Sequence, residues 1–415
     1  MTAARHKDPN ENRPGYKKTK VGWIPEEWSD KNLGAIVDSS QYGLSTANSE
    51  QGTIPIVGMK QIVEGKVLLE SLARTNIPIA EAKDFFLCKD DLLFNRTNSI
   101  EHVGKTGIMQ KSADVVFASY LVRFRIQISH ACPPFVAFAL NTTSARNYLR
   151  RLATPGVCQH NINQSELKKH FHLPLPPFPE QQKIAEILST WDEAIEQTRT
   201  LIAAKKRRKK GLMQQLLTGK RRLPGFGEAW QWPRSDEHFR RVSERSCGND
   251  PVLSATQDNG IVNRADLDKR IEYDKDNLIN YKIVEPNDFV ISLRSFQGGL
   301  EMSRIRGRIS PAYHVIRGST YTVPEFFRFY FKSFEFIGRL AIAVIGIRDG
   351  KQVNYDDFCF MRMPLPPLDE QKAISGVLQA ADEEIACHEA NLKALEKQKR
   401  GLMQKLLTGE VRVRS

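Results

Sequence analysis

The stretch "KKGLMQQLLTGKRR" (209–222) returns as "KRGLMQKLLTGEVR" (399–412), 190 residues further on. The repeat is longer than these two phrases. "LPLPPFPEQQKIAEILSTWDEAIEQTRTLIAAKKRRKKGLMQQLLTG" (173–219) aligns without a gap on "MPLPPLDEQKAISGVLQAADEEIACHEANLKALEKQKRGLMQKLLTG" (363–409) at the same offset. A self-similarity of domain-sized period marks a duplicated half rather than a solenoid. The prolines of "PLPP" exclude helix, and beyond them each unit reads as helix up to the glycine of "LLTG". Ile374, Leu378, Ala381, Ile385, His388, Leu392, Leu395, Lys399, Leu402 and Leu406 alternate steps of four and three, which is heptad spacing. The equivalent seam in the first copy runs from Ile184 through Leu188, Trp191 and Ile195 to Leu216. Gly219 and Gly409 suit helix C-caps. "STWD" (189–192) and "QAAD" (379–382) offer an internal N-cap, so a short helix followed by a longer one is expected in each copy. Two such segments in one chain predict an antiparallel pair, the alternative being that each helix packs on its own domain.

Each helical copy follows a globular segment that reads as mixed α/β with short strands. The two segments share a frame. "GWIPEEW" begins at Gly22 and "GFGEAW" at Gly225. An acidic turn leads into an apolar strand and then Arg in "KDDLLFNRTNS" (89–99) and in "PNDFVISLRSFQGG" (286–299). An aromatic, helix-like run follows in "CPPFVAFALNT" (132–142) and "VPEFFRFYFKS" (323–333). The expected class is therefore α+β: two mixed α/β domains separated by an antiparallel coiled coil of two long helices, with pseudo-twofold duplicated halves. The expected boundaries are a loose tail at 1–15, domains at 16–176 and 220–366, helical regions at 177–219 and 367–409, and a tail at 410–415.

At 415 residues, 40% hydrophobic and 26% charged, the composition is that of an ordinary globular protein of more than one domain. No apolar run reaches the roughly 20 residues that span a bilayer, and the polar start does not resemble a signal peptide, so no membrane partner and a cytoplasmic location are expected. The six cysteines form no CxxC pair. "HFH" would put His170 and His172 on one strand face without a third ligand, so no metal is expected. A net charge of +13 favours a polyanionic partner.

The "PLPPxxEQ" and "LLTG" phrases, present twice, resemble the conserved regions of the DNA-specificity subunit of type I restriction-modification systems. The resemblance runs from about Tyr16 to the end of the second helix and includes domain order. It implies that each globular segment is a target recognition domain entering the major groove of double-stranded DNA, and that the helix pair holds the two apart. It implies a bipartite DNA target with an unspecified gap, no catalytic residue and no cofactor in this chain, and two methyltransferase subunits plus motor-nuclease restriction subunits as partners. Leu217 and Leu407 lie off the seam and are expected to offer spare apolar surface to the methyltransferase subunits.

Other chemistries fit poorly. "SIEHVGKT" (99–106) has Ser99 where a Walker A loop needs its first glycine. On the DNA reading, Lys105 and Thr106 become phosphate contacts. "SPAY" (310–313) resembles the amine-binding motif of amino-methyltransferases only loosely, since Ala312 replaces a proline and no glycine-rich cofactor signature accompanies it. Base reading needs paired donors and acceptors, Arg for guanine and Asn or Gln for adenine. In the first segment the candidates are Arg96 and Asn98, then His160 and Asn161, with Tyr42 as a stacking or phosphate contact. In the second they are Arg294, Ser295 and Gln297, then Arg348, Lys351 and Gln352. The basic run "KKRRKK" (205–210) is expected to be partly a solvated face and partly a set of phosphate contacts.

Overall fold

The computed structural model describes residues 8–47, 49–157, 159–245, 250–256, 260–267, 275–292, 299–345 and 355–413. The chain forms two compact units. One comprises Met1–Gln197 with Leu392–Ser415, the other Thr198–Asn391. Both contain short strands and helices in an α+β arrangement.

In the first unit a six-stranded sheet runs in the order Val37–Tyr42, Leu121–Ile126, Leu92–Asn95, Thr106–Ile108, Lys66–Val67, Ile62–Val63. All its pairings are antiparallel except that of Thr106–Ile108 with Lys66–Val67. The acidic turn sets the central strand. Asp90 takes a left-handed φ of 70°, and Asp91 accepts the amide of Cys88 at 2.9 Å while holding Arg125 Nε at 3.0 Å. The second unit repeats the device in a four-stranded antiparallel sheet ordered Phe239–Val242, His314–Gly318, Phe289–Ile291, Glu301–Met302. There Asn287 has a φ of 74°, and Asp288 accepts the amide of Glu285 and binds Arg317 through both Nε and Nη2.

The long helices run unbroken from Phe178 to Leu216 and from Leu368 to Leu407. The expected internal break is absent; in the first helix Thr190 turns its hydroxyl back onto the carbonyl of Glu186, four residues earlier, instead of capping a new helix. Gly219 and Gly409 both adopt φ +71°, the left-handed C-cap expected of them. The end residues of the seam enter the globular cores. Ile184, Leu188 and Leu406 join Phe94, Phe124 and Phe135 in the first unit, and Leu216, Ile374 and Leu378 join the Phe239, Phe289 and Phe327 cluster in the second. Helix-to-helix ion pairs lie further along: Lys399–Asp192 in the first unit, and Lys205–Glu384, Lys206–Glu389 and Lys209–Asp382 in the second. The helix ends thus pack in globular cores, and ion pairs join the two helices within each unit.

The "PLPPxxEQ" phrase explains how each unit closes. Buried Glu180 accepts Trp28 Nε1 at 3.0 Å and Arg412 Nε at 2.8 Å. Buried Glu370 accepts Trp230 Nε1 at 2.9 Å and Arg222 Nε at 2.6 Å. The neighbouring glutamine is a latch. Gln181 accepts the amide of Cys132 and donates to the carbonyl of Pro176, both at 2.8 Å, and Gln371 does the same with Val323 and Pro366. Each latch satisfies a free donor at the start of an aromatic helix, Pro133–Leu140 or Pro324–Tyr330. In the first unit the glutamate comes from the start of the first long helix and the arginine from beyond the end of the second. In the second unit these sources are exchanged.

Two sequence expectations fail here. Residues 8–15 are not a loose tail: Asn10 is fully buried and donates to the carbonyl of Thr408, and the Tyr16 hydroxyl donates to the carbonyl of Gly409 at 2.5 Å. His170 and His172 do not share a strand face. His170 ends the Gln164–His170 helix, and His172 opens the next strand with its Nδ1 2.7 Å from Asp30 Oδ1. Among the described residues no group of side chains is arranged to hold a metal ion, and no helix is long and apolar enough to cross a membrane.

Candidate nucleic-acid interface

Arg96 and Asn98 follow the Leu92–Asn95 strand, and Thr97–Asn98 forms the edge of a three-stranded sheet with His160–Asn161 and Thr154–Pro155. Thr97 stands opposite Asn161 and Asn98 opposite His160. This register joins two candidates that the sequence keeps about 65 residues apart: Arg96 Nε donates to Asn161 Oδ1 at 3.3 Å. Tyr42, at the end of its own strand, is 44% exposed and lies under the Arg96 guanidinium, with its ring centroid 4.8 Å from Cζ. Tyr42, Arg96 and Asn161 thus form one cluster, with Tyr42 exposed and Arg96 and Asn161 half-buried. His160 lies beside it with its ring in no hydrogen bond among the described residues. Asn98 spends its amide differently, accepting from the amide of Ser99 at 2.8 Å and donating to Met59 Sδ at 3.3 Å.

Thr106 cannot contact phosphate. It is fully buried, its hydroxyl donates to the carbonyl of Gly104, and its carbonyl accepts Asn141 Nδ2 at 2.8 Å. Nor does the loop before it cradle an anion, because Arg146 fills it, donating to the carbonyls of Val103 at 2.7 Å and Glu101 at 3.0 Å. Burial lowers the Arg146 guanidinium to about 10. Lys105, half-exposed next to this loop, remains available to a phosphate.

Arg294, Ser295, Gln297, Arg348, Lys351 and Gln352 lie outside the described residues. The described residues of the second unit hold a basic cluster that sequence reasoning missed. The carbonyls of Pro311 and Tyr313 in "SPAY" both accept from Lys282 Nζ. His314 follows, opposite Ile291 in register and 6.1 Å from the Tyr355 ring, over which Arg241 lies at 5.5 Å. Burial, then Arg241 and Lys282, lower the His314 imidazole. Burial raises the Tyr355 phenol to about 12. Only the strand pairing brings these residues together, and no local pattern announces it. In the first unit the comparable omission is Tyr120, 47% exposed, whose carbonyl accepts the amide of Arg96 at 3.0 Å.

Leu217 and Leu407 do not offer spare surface. They are 0% and 3% exposed, packed in the cores of the second and first units. Each helix end turns inward against the aromatic helix of a unit, which consumes the face that a helical wheel leaves open. In the basic run, Lys205, Lys206 and Lys209 pair with acids of the second helix, while Arg207, Arg208 and Lys210 are exposed.

The Trp–Glu–Arg closure is present in both units, and the first unit also carries the Tyr42–Arg96–Asn161 cluster. The profile of the Type I restriction modification DNA specificity domain matches residues 25–205. The candidate type I restriction enzyme MjaX specificity subunit of Methanocaldococcus jannaschii is 28% identical over 96% of this chain and 97% of its own length. The MjaVIII specificity subunit of the same organism is 23% identical over 94% of this chain and 95% of its own. The fold is shared with a type I restriction-modification S subunit from M. genitalium at a TM-score of 0.55, with 15% identity over 92% of this chain and 96% of that one. Over nearly its whole length the chain is thus similar to DNA-specificity subunits of type I restriction enzymes.

Proposed function

We propose that this chain is the DNA-recognition scaffold of a type I restriction-modification complex, with each unit reading one half of a bipartite site in double-stranded DNA. The two long helices act as an antiparallel coiled coil that sets the gap between the half-sites. Methyltransferase subunits dock on the scaffold, motor-nuclease subunits join them for cleavage, and the chemistry belongs to those partners. The observation that carries this reading is the doubled closure: Glu180 with Trp28 and Arg412, and Glu370 with Trp230 and Arg222. It gives the glutamate of the repeated "PLPPxxEQ" phrase the same role in both units. The net charge of +13 and the exposed arginines suit a polyanionic ligand.

The test is to express the full chain with methyltransferase subunits and map methylated sites across a genome. A single bipartite motif is expected. Methyl transfer by the isolated chain supplied with S-adenosylmethionine and DNA would overturn the division of labour.

A further inference from the structure

The Arg96 side chain is held at three places. Its backbone amide donates to the carbonyl of Tyr120 at 3.0 Å, and its carbonyl accepts the amide of Ile162 at 2.9 Å, so its root is fixed on both sides. Its guanidinium face rests on the Tyr42 ring at 4.8 Å. Its Nε edge is used by Asn161 Oδ1 at 3.3 Å. Asn161 is itself oriented, because the same oxygen accepts the Thr97 hydroxyl at 3.2 Å and its backbone carbonyl accepts the Thr154 hydroxyl at 3.0 Å. What remains is the end of the fork, the two Nη groups, which carry no hydrogen bond or ion pair among the described residues.

Two parallel N–H groups in a fixed plane match two adjacent acceptors. In the major groove only guanine presents such a pair, O6 beside N7. Adenine offers one acceptor and one donor, cytosine a donor, and thymine a single acceptor with a methyl group. A phosphate would accept the same charge but does not need the plane fixed, and fixing it costs side-chain entropy. We infer that Arg96 reads a guanine end-on in the half-site of the first unit, and that Tyr42 and Asn161 are positioning residues that hold its fork rather than contacts to DNA. The inference rests on the DNA-recognition reading above.

The experiment maps methylated sites in cells expressing methyltransferase subunits with the full chain or a variant, and checks by thermal melting that each purified variant folds as the wild type does. Arg96→Ala should relax one G·C position of one half-site by roughly 5- to 100-fold and leave every other position unchanged. Arg96→Lys, which keeps the charge without the fork, should relax the same position. Tyr42→Ala should relax it to a smaller extent and Tyr42→Phe should preserve it, since stacking needs the ring and not the hydroxyl. Should Arg96→Ala fail to fold, Arg96→Lys and the Tyr42 pair carry the test. A relaxed A·T position, or equal weakening at every position of the half-site, overturns the inference and makes Arg96 a phosphate contact. A wild-type chain that directs no bipartite methylation overturns the recognition reading and the inference with it.

Discussion

Glu370 has no solvent exposure, yet its two oxygens accept from Arg222 and from the Trp230 indole. A buried carboxylate is tolerable only when its lone pairs are met. Glu370→Ala leaves the indole N–H and one edge of a solvent-accessible guanidinium without their acceptor, which costs about 1–3 kcal/mol. A drop of that size should appear in urea unfolding of the second unit, and a loss below about 1 kcal/mol would show that water replaces the carboxylate. His314 makes a second prediction at this scale. Burial and the facing cations Arg241 and Lys282 hold its imidazole below the ordinary value near 6.5, against a smaller opposing pull from Asp356. Below about pH 6.5 the unfolded chain therefore binds a proton that the folded one refuses, and stability falls as pH falls. The wild type should lose more thermal stability between pH 7.5 and 5.5 than His314→Gln does. Equal losses would remove His314 as the cause.

At the scale of elements, the repeated phrase contains two glycines with opposite roles. Gly219 and Gly409 end their helices at φ +71°, and a Cβ on Gly409 would lie 2.5 Å from Pro25 Cδ. Gly211 and Gly401 sit inside the helices with nothing within 4 Å of an added Cβ. Alanine at the inner positions should stabilise by roughly 0.5–1 kcal/mol, because glycine is the poorer helix former. Gly409→Ala should destabilise by about 1 kcal/mol or more, since it combines a left-handed backbone with a clash against Pro25. Denaturation midpoints of the three single variants check the contrast. The same sign at inner and end positions would mean that the caps contribute little.

At the scale of the whole molecule, both long helices pass from one unit into the other, at Gln197–Thr198 and at Asn391–Leu392. If the proposed helix pair sets the gap, length must be added to both helices there. An insertion after Leu217 would instead disrupt the second core, where Leu217 is buried. Four helix-forming residues after Gln197 and four after Asn391 add ~6 Å of helix and a net turn of about 40°. DNA rises ~3.4 Å per base pair, so the gap in the methylated motif should grow by one or two pairs while the half-site bases stay the same. An unchanged gap in an active variant would mean that the helices do not measure the site.

The sequence by itself determined the 190-residue repeat, the two helices with their glycine caps, and the acidic turns before the central strands. These follow from short-range physics: proline excludes helix, glycine accepts a left-handed φ, and a turn aspartate caps an amide three residues before it. Arg96, His160, Asn161 and Tyr42 were legible as residue types suited to DNA. That Tyr42, Arg96 and Asn161 form one cluster was not, because strand register decides it and leaves no trace in the neighbouring letters. Burial was equally hidden. A helical wheel leaves Leu217 and Leu407 open, and a motif comparison leaves Thr106 facing a phosphate, until the rest of each unit packs over them. The tertiary structure alone decided what Glu180 and Arg412 are for, since they stand 232 residues apart and meet only where the start of one long helix lies against the end of the other.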